Sequence, residues 1–209
     1  MLQWMQRTDD TTLSDNFADF LLNCERRMYY GHATDEPSNP LRSEPLRIIE
    51  METVDSAFSL SSGTVAQPTN FLELISAAIN SPFGPLEIVS QRTLDGYGTQ
   101  TLGATRKIAV SGSNFRFLDA PTSGTATLRY YQKLSTPTQV GTVNTILTTY
   151  PDVYLHGCLI EASIFTQHQD RMMRHLALYN ASVSGLNART NRILASTVPV
   201  VRVRAGMTP

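Results

Sequence analysis

The residues of this sequence that are best able to carry chemistry are its four histidines and two cysteines. The histidines form no HExxH pair and the cysteines form no CxxC pair, so their spacing does not favour a zinc site. His156 and Cys158 are two residues apart in a predicted helix, where they point to different sides and form no dyad. We expect no metal and no cofactor, and we expect Cys24 and Cys158 to be free, buried thiols.

Glu161 is the only acidic residue in the apolar stretch from 153 to 165. We predict that it is hydrogen-bonded or ion-paired, because an unpaired buried charge is costly. The glycines at 96, 98 and 103 miss the dinucleotide-binding spacing, and no GxSxG elbow or phosphate-binding loop is present. The sequence predicts a protein that is not an enzyme. A hydrolase that combines Glu161 or Asp119 with a histidine stays open as an alternative.

Arginine is the other chemically distinctive residue, with 15 arginines against 2 lysines. Its planar side chain suits paired contacts with carboxylate or phosphate groups. The net charge of −1 conceals a division of the chain: residues 1–100 carry 14 acids and 6 bases, whereas residues 101–209 carry 4 acids and 11 bases. This asymmetry favours an acidic or polyanionic partner, or self-association through unlike ends.

A helix that begins near residue 169 is predicted to present most of the C-terminal bases. Apolar residues recur along it at steps of three and four and form one buried stripe, which consists of Met172, Leu176, Tyr179, Val183 and Leu186. Another face carries bases without an acid. Together with two arginines of the C-terminal tail, these bases are the candidates for partner contact: Arg171, Arg174, His175, Arg189, Arg192, Arg202 and Arg204. A solvated basic surface explains the same pattern.

The remaining pattern predicts two more helices and a β region. One helix runs from about residue 12 to Tyr30, with Thr12 as its cap and Gly31 as its stop. The other runs from 151 to 165 and is apolar almost all the way round, so the fold must cover it. The β region between them contains about seven short strands. The predicted fold class is α+β, with a helical bundle formed by N- and C-terminal helices and an inserted antiparallel β-sandwich or barrel-like region.

These elements divide the chain into four predicted parts. Residues 1–45 form an N-terminal helical part and residues 46–134 the β insertion. Residues 135–196 form a C-terminal helical part that packs with the N-terminal helix. Residues 197–209 form an extended tail, in which valines alternate with arginines as in an edge strand that adds to another chain's sheet. A frayed terminus is the alternative for the tail.

Composition indicates an intracellular soluble protein, with 41% hydrophobic and 17% charged residues. No apolar run approaches the roughly 18 residues of a membrane span. The first residues lack the apolar core of a signal peptide.

Four segments carry a resemblance to a known family. They are FADFLLNCERRMYY, the pair LRIIEMET and PTNFLELISAAI, LRYYQKL, and YPDVYLHGCLIEASIF. In order and content they resemble the first helix, the opening strands, the strand that leaves the β region and the signature helix of head-to-tail adaptor (tail accessory, connector) proteins of tailed double-stranded DNA bacteriophages. The chain departs from the family at residues 67–71, where QPTNF stands in place of the usual Leu-Pro-x-Asp-Phe.

The resemblance implies a structural virion protein of the neck or tail, assembled in the host cytoplasm. Its implied partners are the portal protein, a downstream tail or nozzle protein, further copies of itself in a ring that is a dodecamer in the family, and double-stranded DNA passing through the channel without sequence-specific binding. No membrane partner is implied. The alternatives are another tail or neck component, such as a tail completion or terminator protein, a soluble enzyme, or a nucleic-acid-binding module.

Overall fold

A computed structural model describes residues 5, 10–32, 39, 41–61, 63–97, 106–118, 123–138 and 141–195. These residues form six α-helices, a 3-10 helix at Ile49–Met51 and seven strands, which confirms the α+β class. The helices are α1 (Thr11–Asp15), α2 (Phe17–Tyr30), α3 (Gln91–Tyr97), α4 (Thr145–Thr149), α5 (Pro151–Phe165) and α6 (Gln169–Ala195). The strands are β1 (Glu52–Ser61), β2 (Thr64–Ala66), β3 (Phe71–Ile79), β4 (Gly84–Ile88), β5 (Lys107–Ser111), β6 (Asn114–Leu118) and β7 (Ser123–Gln132).

The chain divides into two compact units. The first unit contains Met1–Ile48 and Tyr150–Pro209, and the second unit contains Ile49–Thr149. The long helices α2, α5 and α6 lie in the first unit, and all seven strands lie in the second unit.

The predicted N-terminal helix ends where the sequence indicates, but its cap was predicted wrongly. Asp10, not Thr12, caps it, because the Asp10 carboxylate accepts a hydrogen bond from the Leu13 amide at 3.2 Å. The segment is also interrupted at Asn16, so it forms two helices instead of one. Gly31 ends α2 as predicted: its φ is +69°, and a Cβ there would lie 2.6 Å from the carbonyl oxygen of Ser43.

The apolar helix α5 is buried over most of its surface, as its composition predicts. Pro151 occupies its first turn, where the missing amide hydrogen is not needed. Both α2 and α6 pack against α5. Gly157 allows the approach of α2, since a Cβ at this position would lie 2.3 Å from the sulfur of Cys24. Cys24 and Cys158 are free and buried, as predicted.

The second unit contains one curled seven-stranded sheet in the order β1-β7-β3-β4-β5-β6-β2. The neighbouring strands are antiparallel except for β4 and β5, which are parallel. The sheet therefore has the open, barrel-like form among the predicted alternatives and does not form a two-sheet sandwich. The sequence pattern predicts two strands here, LRIIEMETV and AFSL, whereas the structure has a 3-10 helix at Ile49–Met51 and the single strand β1, with a shift of register between Asp55 and Phe58. The short edge strand β2 was not predicted.

The sheet has an apolar core of its own. Phe115, Ile108 and Leu128 are fully buried in it. The ring of Phe115 meets the rings of Phe58 and Phe71 edge to face, with centroids 5.7 and 5.0 Å apart. The Ser111–Ser113 turn, whose Ser-Gly-Ser sequence is typical of a hairpin, joins β5 and β6, with Gly112 at a φ of +58°.

Candidate partner-binding surface

The helix α6 positions the predicted basic residues. It has 27 residues and is therefore about 40 Å long at 1.5 Å per residue. The predicted apolar stripe is confirmed: Leu176, Tyr179 and Val183 are buried, and Met172 and Leu186 are partly buried. Four arginines project from other sides of the helix and are exposed, namely Arg171, Arg174, Arg189 and Arg192.

The length of α6 separates these bases into two groups. Arg171 and Arg189 lie on one side of the helix but about 27 Å apart along its axis, because 18 residues separate them. We call Arg171, Arg174 and His175 the N-terminal basic patch and Arg189 and Arg192 the C-terminal basic patch. A single small ligand is too short to contact both patches, whereas a protein surface or a nucleic acid is long enough.

In the N-terminal basic patch, His175 differs from the two arginines. Its ring is partly buried and stacks on the ring of His156, with centroids 5.5 Å apart. The Nδ1 atoms of both rings are buried and have no hydrogen-bond partner among the described residues. Burial lowers the pKa of both imidazoles, and nearby His156, Arg174 and Arg171 lower the pKa of His175 further. The pair is thus held neutral beside two permanent cations.

In the C-terminal basic patch, Arg189 is held by its own chain. Its guanidinium donates a hydrogen bond to the Tyr150 hydroxyl and lies 5.9 Å from the centroid of the Tyr150 ring. Arg192 is exposed one turn further along. The predicted contacts Arg202 and Arg204, and the rest of the tail, lie outside the described residues.

The predicted pairing of Glu161 is confirmed. Its carboxylate accepts two hydrogen bonds from Arg27, at 2.8 and 3.3 Å, and the two side chains are only 12% and 10% exposed. The Tyr154 hydroxyl donates a similar hydrogen bond of 3.0 Å to the buried Glu25. These acids bind partners within the first unit, which gives Glu161 a structural role. Asp119, the other acid considered for catalysis, lies outside the described residues.

An open cavity of about 540 Å³ lies beside this ion pair. Asn23, Arg26, Tyr30 and His32 contribute to its wall along with the paired Arg27 and Glu161. Its two arginines make it basic, and Glu161 offsets part of that charge.

The described residues contain no group of three or more histidines, cysteines or acids that could hold a metal ion. Within the same part of the chain, no helix combines the length and apolarity that a membrane crossing requires.

Sequence reasoning overlooked the uncharged part of α6 between the basic patches. Leu178, Ala181, Ser182 and Gly185 lie there on the side that carries Arg171 and Arg189, and Leu178 is 45% exposed. The sequence already indicated this surface, because Leu178 lies outside the buried apolar stripe of α6.

Comparison with known proteins agrees with the resemblance carried by the four segments. No curated protein matches the chain closely enough to count as a relative. A protein-family model described as SU10 adaptor protein matches residues 2–203. Because that match covers nearly the whole sequence, the chain belongs to the SU10 adaptor protein family and is a phage adaptor protein.

Proposed function

We propose that this protein is a structural virion component that forms a homo-oligomeric ring on the portal, extends the DNA channel and connects it to the tail. The observation that carries this proposal is the family match over residues 2–203. Assembly then takes place in the host cytoplasm, with a downstream tail protein as the second partner. The same proposal includes a bundle formed by the N- and C-terminal helices. It also includes a division of the chain into four parts, with boundaries after residues 45, 134 and 196.

The charge distribution supports assembly into a ring. A ring of identical subunits requires heterologous contacts, in which one face of a subunit meets a different face of its neighbour. Unlike charge in the two halves of the chain favours such contacts over pairing of identical faces.

We further propose that the exposed bases of α6 contact an acidic surface of the portal or of a neighbouring subunit. Arg171, Arg174 and Arg192 are exposed, and none of them belongs to an ion pair among the described residues. Arg189, His175 and the tail residues Arg202 and Arg204 complete the proposed contact set.

Binding to the portal protein of the same phage tests this function. The wild-type protein should co-sediment with assembled portal, and Arg171→Glu/Arg174→Glu should weaken binding by at least about tenfold, because like charges at an interface repel. Arg92→Glu, which reverses an exposed arginine of α3, is the matched control and should bind normally. Deletion of residues 197–209 should also weaken binding. A folded wild-type protein that does not bind the portal would contradict the proposal and would favour a role as another tail or neck component.

The same arginines favour a second candidate partner, the DNA that passes through the channel. Binding of this kind should be weak, independent of sequence and steeply dependent on salt, because it rests on phosphate contacts and counterion release. A duplex-binding titration between 50 and 200 mM salt measures it. We rank this role second, because tight binding would impede the passage of DNA.

A further inference from the structure

Two helices of the first unit each expose a leucine away from their buried side. Leu22 of α2 is 63% exposed, and Leu178 of α6 is 45% exposed. Single exposed leucines are common on protein surfaces, so exposure alone defines no binding site. The charged residues around each leucine distinguish these two positions.

The leucine of α2 follows two carboxylates and precedes an arginine. Asp15 and Asp19 lie seven and three residues before Leu22, and Arg26 lies four residues after it. Helical spacing places Asp19, Leu22 and Arg26 on one side of α2, whereas Asp15 belongs to α1, before the interruption at Asn16. All four side chains are exposed. Neither aspartate takes part in the ion pairs of the described residues. We call Asp19, Leu22 and Arg26 the α2 face.

The leucine of α6 has the opposite surroundings at matching distances. Arg171 and Arg174 lie seven and four residues before Leu178, and the uncharged Ser182 lies four residues after it. The described ion pairs include neither arginine. A Cβ added at nearby Gly185 would meet no atom within 4 Å, so this side is open to a close approach. We call Arg171, Arg174, Leu178 and Ser182 the α6 face.

We propose that the α2 face of one copy packs in parallel against the α6 face of a second copy. Leu22 then covers Leu178, and Asp19 meets Arg174. Ser182 lies opposite Arg26, so no like charges meet. This contact deepens the ring function proposed above and rests on it, since it names the two surfaces that link one subunit to the next.

Charge selects this arrangement over its alternatives. With the leucines in contact, an antiparallel arrangement would bring Arg26 against Arg174, and two like charges in close contact are unfavourable. Pairing of two α6 faces would leave their arginines without carboxylates. An antiparallel pair of α2 faces would join Asp19 of each copy to Arg26 of the other, but would leave the arginines of the α6 face without carboxylates. Pairing of unlike faces is the arrangement that supplies carboxylates to the α6 arginines, and contacts between unlike faces can close into rings.

A charge-exchange experiment tests the register. Asp19→Arg and Arg174→Asp should each weaken self-association at least about tenfold, because each places like charges together. The double variant D19R/R174D should recover most of the loss, since the pair is restored with its signs exchanged. Sedimentation velocity measures association, in free solution or on the portal, and Arg92→Asp in the second unit is the control. A double variant that is no better than the single variants would overturn the register.

A mixing experiment tests whether the contact joins unlike faces. Asp19→Arg/Leu22→Arg disables the α2 face, and Leu178→Arg/Ser182→Arg disables the α6 face. All four positions are exposed or partly exposed, so circular dichroism should show both variants to be folded. Each variant alone should be monomeric, and their mixture should form a 1:1 dimer that grows no further. Dimers of either variant alone would overturn the proposal, because they would require contacts between identical faces.

These results separate the contact from the proposed function. If the wild-type protein forms rings and both variants form them equally well, the α2–α6 contact is wrong and the adaptor function stands. A wild-type protein that associates neither with itself nor with the portal would overturn both.

Discussion

The two units of the protein differ in what they bury. The first unit buries charged and polar groups among its helices, including the Arg27–Glu161 pair, the Tyr154–Glu25 hydrogen bond and the hydroxyl of Tyr179. The second unit buries an almost entirely apolar set of side chains around Phe115. Its ion pairs, such as Arg116–Asp95 and Arg129–Glu52, each include a side chain that is at least 39% exposed.

This difference shows where each unit is sensitive. An apolar core responds to lost volume and is indifferent to pH. Buried charges respond to the loss of a partner, because the remaining charge stays in a medium that solvates it poorly. The first unit, which carries the proposed contact surfaces, is therefore the unit in which both members of an ion pair are shielded from solvent and in which loss of one partner should cost most.

The largest expected effect is in the second unit. Phe115→Ala removes a fully buried ring and should lower the free energy of unfolding by about 4 kcal/mol. Urea denaturation, with hydrogen exchange to locate the loss in β5–β7, measures it. The loss should be the same at pH 5 and pH 8, because the cluster contains no group that titrates in that range. If the loss in free energy of unfolding changes with pH, the contrast between an apolar second unit and a charge-dependent first unit is wrong.

The next effect is in the first unit. Arg27→Met should lower the free energy of unfolding by about 3 kcal/mol, because it leaves the carboxylate of Glu161 buried without its partner. The same urea denaturation at pH 7 measures it. Replacing both residues, as in R27M/E161L, should recover most of the stability, since no uncompensated charge remains. A double variant as unstable as the single variant would show that packing of the arginine, and not its charge, stabilises this site.

A smaller effect concerns the contact of α2 with α5. Gly157→Ala should destabilise the protein by about 1–2 kcal/mol, because the new methyl group would overlap the sulfur of Cys24. In a Cys24→Ala background the same substitution should become neutral or stabilising, since alanine favours a helix by up to about 1 kcal/mol over glycine. Thermal denaturation of the four proteins completes the cycle. Equal effects of Gly157→Ala in both backgrounds would refute the overlap.

The smallest expected effect is a dependence of stability on pH. Folding lowers the pKa of His156 and His175, so the unfolded chain binds more protons as the pH falls below the ordinary histidine pKa. Their contribution to stability is complete above that value and declines as the pH falls towards their folded pKa values. Arg171 and Arg174 oppose protonation of His175, whereas Asp152 favours protonation of His156.

Denaturation midpoints measured between pH 5 and pH 8 test this dependence. The slope should diminish in His156→Gln/His175→Gln, and His168→Gln, which changes an exposed histidine, is the matched control. An unchanged slope in the double variant would assign the pH dependence to other groups.

Local pattern predicted the helices better than it predicted the sheet. The residues of α5 and α6 carry their own signals, namely Pro151 in a first turn, a continuous apolar run and a stripe at helical spacing. The strand β1 carries a misleading signal, because its irregular register interrupts the alternation and makes one strand resemble two. The edge strand β2 has only three residues, too few to show a period.

For the candidate surface, too, the sequence predicted some features and not others. The exposure of Arg171 and Arg174 followed from their position relative to the apolar stripe. The stacking of His175 on His156 did not, because it joins residues of different helices and depends on how those helices pack. The same holds for Arg189, whose contact with Tyr150 joins residues 39 positions apart.

Electron microscopy of the purified protein mixed with the portal of its own phage tests the central claim most directly. We predict a ring of density on one face of the portal, with a central opening coaxial with the portal channel. A folded protein that leaves the portal bare on both faces would contradict the account.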